Sequence, residues 1–229
     1  STLYLITSYI FTGFINRNVA DKYKRSKSFI MIKMGLFYLV LSSLGIWAVG
    51  PVAATQGSDS DWFKYVLYFF LHFLYSGFFF STLIGILFHT LEESNIEIPE
   101  KMFTRFFYFL HFGILFSYIL SVLWTGPRLP FYIIGTAGAI MQIYGYYIFY
   151  RLVRPHLTYL KDKFGSFFYF FLQMAWVLLV IRIFMQLASA LPYFAELAFK
   201  YRDFIIGYLH MVFLGIVIPV MLIFLQYFK

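Results

Sequence analysis

Apolar residues run through this chain in blocks of about twenty or more, without the alternation of a half-buried strand or the three-to-four spacing of a helix on a soluble core. A helix needs about 20 apolar residues to cross the hydrocarbon of a bilayer. Six full blocks are readable, at residues 29–50, 62–88, 106–124, 131–150, 167–191 and 204–228. The opening run, residues 1–15, is apolar too. At about 1.5 Å per residue it is too short to cross roughly 30 Å alone. It reads as the back end of a helix whose front is missing, so the chain reads as a fragment or processed product. A transmembrane barrel would show roughly ten-residue alternating segments instead. The pattern predicts an all-α, polytopic transmembrane helix bundle: one domain over residues 1–229, with six full spans and one partial N-terminal span.

Composition agrees with the pattern. Hydrophobic residues make up 62% of the 229 and charged residues 12%, a balance suited to lipid rather than water. The net charge of +8 matters through its distribution. With the loop at 16–28 cytoplasmic, the inside collects Arg17, Lys22, Lys24, Arg25, Lys27, Lys101, Arg105, Arg151, Arg154, Lys161, Lys163 and Lys229. The outside keeps Lys64, Arg128, Lys200 and Arg202. This split obeys the positive-inside rule, places the C-terminus in the cytoplasm and predicts a multi-pass membrane protein. The charges flank apolar blocks, so a nucleic-acid surface is the weaker reading. Lipid is the expected partner, with other membrane subunits or a missing N-terminal segment beside it.

Several chemistries are excluded outright. The chain has no cysteine, hence no disulfide, thiolate metal site or thiol nucleophile. It also lacks a Gly-rich phosphate loop, HExxH and GxSxG. Its 32 Phe and 20 Tyr are spread over every block and read as packing, lipid-facing and interfacial residues.

What remains is a small set of polar groups at membrane depth. Such groups are costly to bury unless partnered, which makes each a functional candidate. Counted from the outer helix ends, His72 is about ten residues deep, Arg182 about eight and His210 about six, so all three lie roughly 9–15 Å below the outer surface. Tyr68, His72, Tyr75, Ser76 and Phe79 share one helical face, and Arg182, Gln186 and Ser189 share another that must point inward. Gly207, His210 and Leu214 form a third, followed by Pro219 as a kink. His89, His111 and His156 read as interfacial or loop histidines. Two neutral imidazoles can ligate haem iron or copper, and a guanidinium suits a carboxylate. The same groups can also serve simply as glue between helices.

The stretches YFFLHFLYSGFFF (68–80), RIFMQLASALPYFAELAF (182–199) and IGYLHMVFLG (206–215) resemble segments of an uncharacterised membrane-protein family common in Bacteroidota. That family in turn resembles subunit I of haem–copper oxidases and the NnrS-type haem and copper membrane proteins. The similarity runs from SSLGIWAVGP (42–51) to the C-terminus. It implies haem or copper held by His72 and His210 as metal ligands, with Arg182 and Gln186 completing the cofactor site. Departures are also clear. Leu74, Ser76 and Phe78 stand where relatives carry polar or Trp residues, and the chain lacks the adjacent His-His pair and the His-x-His of working oxidases. Oxygen-reducing turnover is therefore not expected of this chain alone. Three functions are open on these grounds: a haem- or metal-binding membrane protein of respiratory or nitric-oxide-related type; a transporter or channel for a small anionic solute; and a structural subunit without ligand. No inverted repeat of the transporter kind is evident.

Overall fold

The computed structural model describes residues 2–227, without the side chains of Arg202 and Tyr227. Ser1, Phe228 and Lys229, which enter the span and charge readings, lie outside the described residues. All regular structure among the described residues is helical. The order is α1 (Thr2–Asn18), α2 (Lys27–Gln56), α3 (Asp61–His72), a π-helical segment (Phe73–Phe79) and α4 (Phe80–Glu92). Next come α5 (Glu100–Ser117), a 3-10 segment (Tyr118–Thr125), α6 (Leu129–Val153), α7 (Leu157–Ala188) and α8 (Pro192–Lys200). The chain closes with α9 (Arg202–Val212), a second π-helical segment (Phe213–Val217) and α10 (Ile218–Tyr227).

Local sequence explains where the helices begin and end. Ser26 caps α2 by accepting from the Phe29 amide at 3.1 Å, and Ser60 caps α3 by accepting from Phe63 at 3.2 Å. Pro130 and Pro192 lie in the first turns of α6 and α8, where a missing N–H costs nothing. Gly165, at φ 78°, breaks α7 near its start, a left-handed conformation that side-chain-bearing residues avoid.

Among the described residues, five helical stretches are long and apolar enough to cross a membrane: Lys27–Gln56, Asp61–Glu92, Glu100–Thr125, Leu129–Ala188 and Asp203–Gln226. The fourth, at 60 residues, takes in both the fourth and fifth apolar blocks. The basic connection between those blocks stays helical because Arg and Lys are good helix formers. Only the 3-10 turn Arg154–His156 and the kink at Gly165 interrupt it.

The chain forms two compact units, Ser1–Glu97 and Ile98–Lys229. In the first, α2 is the centre. Tyr9 of α1 shares a 2.7 Å hydrogen bond with Ser43, and the Trp47 indole donates to the same Tyr9 hydroxyl at 3.1 Å. Tyr38 is fully buried and stacks on Phe73 at 5.9 Å. Lys33 is exposed on α2, about six residues from its start, where a long side chain can reach the interface.

In the second unit, α5 and α6 press together. A Cβ on Gly138 would stand 2.5 Å from the Ser117 amide nitrogen. Buried Gln142 donates to the Gly113 carbonyl at 3.2 Å and to the Ser117 hydroxyl. The short helix α8 lies on the 3-10 segment, with Phe199 stacked on Trp124 at 3.9 Å. Large apolar side chains face outward, among them Phe167 at 69% exposure and Phe184 at 66%, an arrangement that lipid tolerates and water does not.

Candidate ligand-binding histidines

Arg182, on α7, is 1% exposed and heads the largest fully buried side chains. Its guanidinium lies among the phenol side chains of Tyr146 on α6 and Tyr208 on α9. A guanidinium at membrane depth needs acceptors, and a phenol oxygen can serve as one. The contact ties three helices of the second unit at one point. Gln186, one turn further on, is half-buried, and its carbonyl accepts from the Ser189 hydroxyl at 2.7 Å.

His210 lies on the other side of α9. It comes two positions after Tyr208, which is about 200° around an α-helix, so the ring points away from the Arg182 contact. Its residue is exposed, as are Gly207 and Leu214 on the same face, and a Cβ on Gly207 would meet nothing within 4 Å. The ring Nδ1 is 2.8 Å from the Ile206 carbonyl oxygen. A carbonyl only accepts, so Nδ1 carries the proton and the neutral ring keeps its lone pair on Nε2. This is the arrangement by which proteins fix the tautomer of a metal-ligating histidine.

His72 closes α3 in the first unit. It is half-buried and meets Phe73 edge-on at 5.1 Å. The π-helical segment Phe73–Phe79 begins at the next residue, and Phe73, Ser76 and Gly77 within it are buried. Of the four sequence-derived site residues, Arg182 and Gln186 thus share one helix, His210 occupies the outward face of α9, and His72 belongs to the other unit.

The remaining histidines divide. His111 is buried by its protein neighbours, with its ring 4.4 Å from Phe107. It lies about 16 Å along α5, which begins at Glu100. His89 pairs with Glu93 at 3.3 Å and meets Tyr23 edge-on at 5.5 Å, at the end of α4. His156 sits in the turn Arg154–His156.

Sequence reading missed the two tyrosines that hold Arg182, because 20 tyrosines spread over all the blocks give none of them prominence. It also missed both π-helical segments, for which Gly77 and Gly215 were the available sign. Among the described residues no group of three or more His, Asp or Glu side chains could hold a metal ion. Comparison with protein families, with characterised proteins and with solved structures returns no match. The fold and its spans define an all-helical integral membrane protein.

Proposed function

We propose that this is a six-crossing membrane protein that holds a haem or a transition-metal ion through histidine, in line with the resemblance to the NnrS-type and haem–copper proteins. The observation that carries the reading is at His210. Its Nδ1–H is committed to the Ile206 carbonyl, its Nε2 lone pair lies on an exposed face, and Gly207 beside it leaves open space for a flat macrocycle. Haem suits these residues better than a bare ion, because the porphyrin supplies four of the iron's ligands and the protein need add only one or two. When bound, the haem would supply electron transfer or the binding of a small diatomic ligand.

The chain's own residues have separable roles in this reading. His210 ligates through Nε2, and the Ile206 carbonyl holds the ring in the required tautomer. Arg182 is a positioning residue: by gripping Tyr208 it fixes the helix that carries His210. Buried on all sides, it is better suited to that task than to receiving a solute anion. His72 is the second candidate ligand.

The test is the visible spectrum of the purified protein in lipid nanodiscs, as isolated and after titration with haemin. A Soret band that is weakened in His210→Ala and kept in His156→Ala is the expected result. A wild-type protein that is colourless and leaves the haemin spectrum unchanged would overturn the proposal. The six-crossing topology, with 16–28 cytoplasmic, has its own check. Cysteines placed at Ser26 and Ser58 should react with an impermeant label from opposite sides of the membrane, and labelling from one side would refute it.

A further inference from the structure

His210 comes 138 residues after His72, and Gly215 comes after Gly77 by the same interval. The match extends through the segment as aromatic–Leu–His–x–x–aromatic–x–Gly: Phe70, Leu71, His72, Tyr75 and Gly77 in the first unit; Tyr208, Leu209, His210, Phe213 and Gly215 in the second. The downstream element boundaries keep the same interval, whereas the π-helical segments begin at Phe73 and Phe213, 140 residues apart. The π-helical segments end at Phe79 and Val217, and the helices after them begin at Phe80 and Ile218. Upstream, Ser28 and Phe29 in the first turn of α2 correspond to Ser166 and Phe167, just past the kink at Gly165. No insertion or deletion separates 28–89 from 166–227. Only the connection differs, with α2 continuing to Gln56 where α7 ends at Ala188 and the short α8 fills the remaining length.

A π-helical turn is rare in any protein, and it accommodates an extra residue that rotates the downstream helix against the upstream one. Two such segments ending at equivalent positions, and beginning one and three residues after a histidine, argue for a shared origin. Packing makes the same point. A Cβ on Gly77 would fall 2.5 Å from Tyr38 Cγ, and one on Gly215 would fall 2.6 Å from Leu178 Cδ1. Tyr38 lies on α2 and Leu178 on α7, so in each unit the π segment is pressed against the long helix that opens the copy.

We infer that residues 28–89 and 166–227 are two copies of one membrane module, a long helix followed by a histidine helix with a π-helical segment. His72 and His210 are then equivalent ligand stations for the same chemical group. The second half of this statement rests on the reading of His210 as a ligand; the duplication does not.

Two measurements separate the parts, both on the full chain in nanodiscs. In haemin titrations, His72→Ala and His210→Ala should weaken ligation by the same factor, about tenfold or more, with the same change of iron spin state by electron paramagnetic resonance, and the double variant should lose ligation altogether. Loss with one single variant and none with the other would overturn equivalence; a wild type that ignores haemin would overturn the ligand reading alone. The duplication is tested by reciprocal exchange of 71–77 (LHFLYSG) with 209–215 (LHMVFLG), which leaves Tyr208 in place. The register-true exchange should stay monodisperse with an unfolding midpoint near that of wild type, and an exchange offset by one residue should not. Equal damage from both exchanges would refute the duplication.

Discussion

The two histidine helices are fastened in different ways. In the first unit the segment around His72 is held by close apolar contact: Gly77 admits Tyr38, and Gly45 on α2 admits the Val66 carbonyl, where a Cβ would stand only 2.6 Å away. In the second unit α9 has an open side at Gly207, and its fastening is polar, the grip of Arg182 on Tyr208. Apolar burial provides little drive between helices in lipid, so association depends on packing and polar contacts. The first module uses mainly packing and the second adds a buried cation. The difference leaves His210 on an outward face and His72 half-covered.

The largest effect should come from filling the space that packing occupies. Gly77→Leu drives a side chain into the Tyr38 ring and should destabilise the first unit by about 3 kcal/mol or more. Gly207→Leu, with nothing within 4 Å of its Cβ, should change stability little. Thermal unfolding in detergent, followed by loss of the monodisperse peak, measures both. Similar midpoints for the two variants would break the comparison.

Next in size is the polar fastening. Tyr208→Phe removes a hydroxyl from a buried guanidinium and should cost about 1–3 kcal/mol, an unsatisfied charged donor being the expensive outcome. Arg182→Lys should not restore wild-type stability to the site, because a single ammonium cannot reproduce the planar fork that meets two phenols. Arg182→Met combined with Tyr208→Phe should be less damaging than the two single costs added together, since each removes the other's partner. Strict additivity of the unfolding midpoints would show that the two groups are not coupled.

Much of this architecture is legible from the chain alone, and the exceptions have physical causes. Helical class and apolar spans are set by block length, which hydrocarbon thickness dictates. Arg182 and the histidines stand out because polar groups are rare in such blocks. The connection at 151–163 hides its helical continuity, since charged residues at a membrane surface read equally well as loop or helix. The repeat escapes notice because few side chains are shared between the copies. It emerges only when the π-helical segments, which depend on hydrogen-bond register rather than residue type, mark equivalent positions.

The smallest effect sharpens the comparison at a helix end. In the first unit the Glu92 carboxylate lies at the end of α4, and its Oε1 accepts from the Lys27 amide at 2.9 Å and the Ser28 amide at 3.4 Å. It thus closes the α2 N-terminus with negative charge where the helix dipole favours it, joining the start of α2 to the end of α4. In the second copy the position equivalent to Lys27 is Gly165, where a φ of 78° kinks a continuing helix instead of opening a new one. Glu92→Gln keeps an acceptor but removes the charge, and should cost about 0.5–1 kcal/mol; Glu92→Ala loses both and should cost about 1 kcal/mol. Because Ser26 still accepts from Phe29, neither variant should unwind α2. Hydrogen exchange should therefore quicken at the amides of Lys27 and Ser28 and stay unchanged from Gly35 onward; quickening along the whole of α2 would show that the carboxylate holds the module together rather than closing one helix end.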